Sequence, residues 1–208
     1  MSCIRNKNIN INTEIDFIKN NHYCNASTYN DITVLRNNVQ NILNHSKGIV
    51  INKATGYKAK ITNTTLHKII HPSSHFNVFS KKYIDDLNAA CYLKELFENA
   101  VYLDTLKPMK NKVNNVNELG YHHFVAPLKM NDECYKAYIT VREKVNSKIL
   151  YVVSVKLFKF DYKLSTISVK ELIDNTNIWN YALNDYNYYS YSDFVAESIN
   201  YNYIWIIS

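Results

Sequence analysis

The sequence predicts an α+β fold: N-terminal helices, then an antiparallel sheet of four or more strands with helices packed on one face, and a C-terminal helical and aromatic extension. Three observations predict it. Apolar residues recur at helical spacing in 13–21, 31–45 and 81–99. The runs 121–130, 135–144 and 149–160 read as strands. Only three Gly and three Pro, with 47% apolar residues, describe a chain that folds around a core. At 208 residues the length favours one domain, divided into a helical N-terminal segment 1–47, an α+β core 48–160 and an acidic, Tyr-rich extension 161–208 that packs on the core.

The first helices rest on Ile15, Phe17 and Ile18, and on Ile32, Val34, Leu35, Val39, Ile42 and Leu43. Gly48 ends that pattern. Ile49-Val50-Ile51 and Tyr57 to Ile61 then flank a turn with Gly56 at a positive-φ position, a hairpin whose second strand puts Lys58 and Lys60 on one face. Asn63-Thr64-Thr65 supplies the cap for a short helix, Leu66 to His71, which Pro72 stops. From Lys81 to Asn99 a single long helix carries an apolar stripe, with Asp85, Asp86, Lys94, Glu95 and Glu98 facing water. Val101-Tyr102-Leu103 is a short strand, followed by a basic loop containing Lys107, Lys110 and Lys112 that is long enough to suggest function. The last two strands form a hairpin across Val145 to Lys148. With a two-residue turn at Asn146-Ser147, Arg142 falls opposite Tyr151 and Thr140 opposite Val153. A helix around Val169 to Ala182 precedes the Tyr-rich tail.

Charge is segregated. The net +6 hides a segment from Ile32 to Ile84 with no Asp or Glu and eight Lys or Arg, which suits a polyanion such as nucleic acid. Cys3, Cys24, Cys91 and Cys134 form no CxxC pair, so neither a disulfide framework nor a zinc knuckle is signalled. The polar N-terminus and the absence of any apolar window near 20 residues lead us to expect a soluble protein acting in the cytoplasm of the producing or a target cell, with no membrane partner. Three glycines leave no phosphate-binding Gly-rich loop, nucleophile elbow or dinucleotide fingerprint, and no cofactor is expected.

Two constellations stand out. His67 and His71 are i, i+4 neighbours with Lys68 one step round the helix, so two imidazoles and an ammonium can address one phosphate. Metal-free RNA cleavage needs an acid and a base near neutral pH, and a cation on the phosphoryl oxygens. Two other readings stay open: histidines lining the rim of a basic surface, and a zinc site from His67, His71 and His75. In the second constellation, Lys136, Tyr138, Thr140, Arg142 and Lys144 alternate with Ala137, Ile139 and Val141, presenting either a phosphate-binding face or an ordinary solvated one. His122 and His123 point to opposite faces of their strand.

Val50-Ile51-Asn52-Lys53, Thr55-Gly56, His67-Lys68-Ile69-Ile70, Leu96 to Ala100, Phe124 to Pro127, Ala137 to Glu143 and Tyr151 to Val155 give the block Gly48 to Phe160 its resemblance to large polyvalent protein-associated domain 3 of phages and other mobile elements. That domain is similar to the ribonuclease superfamily of barnase, EndoU, colicin tRNases and RelE. The resemblance implies a metal-independent ribonuclease, a toxin cleaving tRNA or other RNA through a 2′,3′-cyclic phosphate, with an antitoxin or immunity protein as a further partner. His67, Lys68, His71, Thr140, Arg142 and Tyr151 would then be the catalytic set, and Lys58, Lys60, His75 and Lys144 would bind RNA, with no metal. The alternative is a non-catalytic nucleic-acid-binding or protein-interaction module of such an element.

Overall fold

The computed structural model describes residues 10–71, 78–106 and 118–173. His75 and Pro72, the basic loop with Lys107, Lys110 and Lys112, and the tail beyond Ile173 lie outside them. The architecture is α+β, with several differences from expectation.

The first is at the N-terminus. Residues 13–21 form no helix; they contribute β1 (Glu14–Asp16) and β2 (Ile18–Asn20) before the first helix, α1 (Tyr29–His45). Ile18 and Asn20 are buried with Lys19 exposed between them, a period-2 pattern that so short an apolar window does not separate from a helical one. Pairing decides it, because β2 lies parallel to β6 (Glu118–Met130), with Ile18 beside Leu128. Helix α1 starts at a reciprocal cap in which the Thr28 hydroxyl accepts from Asp31 N–H and the Asp31 carboxylate accepts from Thr28 N–H.

The second difference is in the sheet, which is mixed and has seven strands. Its order is β2, β6, β7 (Glu133–Lys144), β8 (Leu150–Phe160), β4 (Lys58–Ile61) and β3 (Gly48–Ile51), with β5 (Val101–Leu106) also paired to β6. Strands β7 and β8 extend the antiparallel run from β6, whereas β4 joins β8 in parallel. The hairpin of β3 and β4 forms as expected, with Gly56 at φ +77°.

Helix α2 (Asn63–Ile70) continues along the edge of β8 where β4 ends, and the buried Thr65 hydroxyl donates to the Val152 carbonyl at 2.6 Å. The expected helix 81–99 is two helices, α3 (Lys81–Ala90) and α4 (Leu93–Asn99), broken at Cys91-Tyr92 without Gly or Pro. The break lets α3 pack on α1 and β8 while α4 packs on β6 and β3. Asp85 consequently does not face water. It is 5% exposed and accepts from the Tyr23 and Tyr135 phenols and the Lys81 ammonium. Such a buried carboxylate needs these donors.

One core joins α1 to α4 with Ala137, Ile139 and Val141 of β7. The opposite face of β7 is not a solvated surface either. Lys136, Tyr138 and Thr140 are each under 5% exposed; Lys136 donates to the Glu171 carbonyl of α5 (Val169–Ile173), which follows β9 (Thr166–Ser168), the partner of β1, and the Tyr138 ring stacks on that of His123. Among the described residues Cys24, Cys91 and Cys134 are free thiols, and no helix is long and apolar enough to cross a membrane.

Asn52 fastens the hairpin to this core. Fully buried, it donates to the Phe97 and Ala100 carbonyls at the end of α4, and its side-chain oxygen accepts from the N–H and hydroxyl of Thr55. Asn52→Ala removes the amide's bonds to both carbonyls, and Phe97 keeps only the long one from Ala100 N–H, at about 1–3 kcal/mol for a buried under-satisfied group. Urea unfolding is expected to show a loss of at least about 2 kcal/mol.

Candidate phosphate-binding cleft

At the end of the sheet where α2 lies along β8, a cavity of about 150 Å³ is lined by Thr62, Thr64, Thr65, Lys68, Arg142, Lys144, Tyr151 and Val152. Three elements build it. Thr62 caps α2 by accepting from Thr65 N–H, and the Thr65 hydroxyl accepts from Thr62 N–H, which fixes the first helical turn at the cavity wall. Thr64 and Lys68, four residues apart, share the helix face that looks into it. On the sheet side Arg142 lies directly opposite Tyr151, and the Lys144 ammonium sits 4.9 Å from the Tyr151 ring centre.

Among the described residues, the lining carries three cations and no carboxylate. The N-terminus of α2 adds the partial positive charge of its N–H groups, of the same sign as the three described cations. Lys60 runs alongside Tyr151 in the parallel pairing, and Lys58 and Lys60 are both exposed, extending the basic surface along β4.

Of the residues picked out in the sequence, Lys68, Arg142, Tyr151 and Lys144 come together here. Thr140 does not line the cavity. Val153 bulges between the β7 and β8 pairings, so Thr140 lies opposite Ser154 rather than Val153, and it is 2% exposed. His67 and His71 stand exposed one step round α2 from Lys68, with ring centres 5.1 Å apart, outside the cavity lining. Partial burial, the neighbouring His67 and the Arg36 guanidinium hold the His71 pKa below the usual histidine range. Sequence reasoning missed Thr62, Thr64 and Thr65 as cavity residues. The Thr-x-x-Thr pair was the available signal, since it marks the helix start that a bound anion faces.

No group of three or more His, Cys, Asp and Glu side chains placed to hold a metal occurs among the described residues. No curated protein and no solved structure matches the chain. The model of large polyvalent protein-associated domain 3 matches residues 30–151, which span α1 to the start of β8 and include every residue of the cavity wall except Val152. The match covers more than half of the sequence, and the chain belongs to the large polyvalent protein-associated domain 3 family.

Proposed function

We propose that the cleft holds a phosphate of RNA and that the domain is a metal-independent ribonuclease. The observation that carries this reading is the meeting of Lys68 from one helix with Arg142, Lys144 and Tyr151 from two strands around one cavity. At about 150 Å³ the space is below the roughly 300–1,000 Å³ of small-molecule sites, which suits one phosphate and its sugar edge better than a whole ligand. Arg142 offers the planar fork that matches two phosphate oxygens, and Lys68 adds a point charge. The Tyr151 phenol and the threonine hydroxyls supply hydrogen bonds to a 2′-hydroxyl, the group that distinguishes RNA from DNA. His67 and His71 are the acid–base groups nearest in sequence, serving a strand that runs from the cleft over the exposed side of α2.

The test is labelled RNA incubated with purified protein in EDTA. Cleavage to 2′,3′-cyclic phosphate ends, lost in His67→Ala together with His71→Ala while binding persists, is the expected result. Intact protein that binds no RNA overturns the proposal. A second reading, a module that binds RNA without cutting it, is favoured by the position of His67 and His71 outside the cavity lining. It predicts salt-sensitive binding that both histidine changes leave unaltered, with no product.

A further inference from the structure

A separate cluster of reactive groups lies across β5, β6 and β7. Thr105 Oγ1 is 2.6 Å from His122 Nδ1, His122 Nε2 is 3.1 Å from a Glu143 carboxylate oxygen, and the Tyr102 hydroxyl is 2.6 Å from Thr105 Oγ1. Register brings them together. Thr105 pairs with His122 across β5 and β6, His122 pairs with Val141 across β6 and β7, and Glu143 follows two residues along on the face of Val141.

The hydrogen bonds have a direction. A carboxylate only accepts, so the Nε2–H of neutral His122 donates to Glu143; Nδ1 is then the bare nitrogen, and the Thr105 hydroxyl must donate to it. Thr105 oxygen in turn accepts from the Tyr102 hydroxyl. Burial holds the His122 pKa below the usual histidine range, against the opposing bond to Glu143, so the imidazole is neutral. His122 is 4% exposed, whereas Thr105 is open to solvent on its strand. A hydroxyl bonded to a histidine that a third group orients is the arrangement of an activated nucleophile.

We propose that Thr105, His122 and Glu143 form an acyl-transfer site acting on a neutral carboxylic ester. The surroundings choose the substrate class. The rings of Tyr57 and Tyr102 lie 5.1 and 6.4 Å from that of His122, and the Glu143 carboxylate on His122 Nε2 repels a phosphate but tolerates an uncharged planar group. Thr105 oxygen forms a bond to the ester carbonyl carbon, and its proton passes to His122 Nδ1. The ester C–O bond breaks and the leaving alcohol takes that proton. Water then attacks the acyl-threonine by the same route and restores the hydroxyl. Alternation sends Glu143 to the opposite side of β7 from Arg142 and Lys144, so this chemistry does not borrow the phosphate cleft.

The probe is p-nitrophenyl acetate with the full chain, read by release of p-nitrophenolate and by peptide mass mapping. Acetylation of Thr105 is expected, retained in Thr105→Ser and absent in Thr105→Val. His122→Asn is expected to slow it by roughly 100-fold or more, the range of a general base. Glu143→Gln, at a position one-third exposed and so tolerant of change, is expected to slow it as well. No acetyl group on Thr105, acetylation of lysines alone, or an unchanged rate in folded His122→Asn or Glu143→Gln protein overturns the assignment.

Discussion

Arg142→Ala is expected to weaken RNA binding by about 10- to 150-fold, the equivalent of losing charge-assisted hydrogen bonds of about 1.5–3 kcal/mol. The size follows from position. Arg142 is half-buried in the cavity wall, opposite Tyr151 and facing the end of α2, where less water competes for the guanidinium than at an open surface. Arg142→Lys keeps the charge and loses the fork, so its loss is expected to be smaller but clear. Titrations at several salt concentrations provide the check. Removing one phosphate contact should make the dependence of log affinity on log salt shallower by about one unit. Lys94→Ala, on the exposed side of α4, should change neither affinity nor slope. Equal loss in Lys94→Ala and Arg142→Ala would show that net charge rather than the cleft governs binding, and an unchanged Tm in both variants is the condition for comparing them.

The parts of this structure that rest on neighbouring residues were legible in the sequence. The β3–β4 hairpin follows from two short apolar runs around Gly56, and the β7–β8 pairing that sets Arg142 opposite Tyr151 follows from one turn. What depends on distant partners was not. Nothing local in Ile18 to Asn20 announces that β6 lies beside it, and nothing in Cys91-Tyr92 announces a break that serves packing on two different surfaces. The bulge at Val153 leaves no periodic mark, yet it decides which residue lies opposite Thr140. The same division holds for the sites. Cations cluster visibly in a sequence, so Lys68, Arg142 and Lys144 could be picked out. Thr105, His122 and Glu143 are separated by 17 and 21 residues, and irregular pairings at Tyr102–Asp104 and at Glu118–Gly120 set the register that unites them.

Phe124→Ala is expected to cost about 3–5 kcal/mol, the range for deleting a buried phenyl ring. Phe124 has no exposed surface and lies on β6, paired with Tyr102 of β5 and Ile139 of β7. Its ring meets Phe97 of α4 at 5.0 Å, Tyr102 at 5.4 Å and Tyr57 at 5.8 Å between centres, each in a tilted or edge-on arrangement of the kind that adds to simple burial. Helix, hairpin loop and sheet therefore share one side chain, and no neighbour can collapse into the space without leaving another contact. Against a total stability of about 5–15 kcal/mol the loss is a large share, and at about 2–4 °C per kcal/mol for a chain of this size it should lower Tm by about 6–20 °C. Phe124→Leu retains most of the volume and is expected to lose less than half as much, which calorimetry or urea unfolding distinguishes. A loss below about 1 kcal/mol for Phe124→Ala would mean that the ring is not enclosed by these elements. The consequence reaches the chemistry, because Tyr57 and Tyr102 pack on both Phe124 and His122. Below its lowered Tm, folded Phe124→Ala protein should therefore acetylate Thr105 more slowly while its RNA affinity, set on the far side of β7, stays the same.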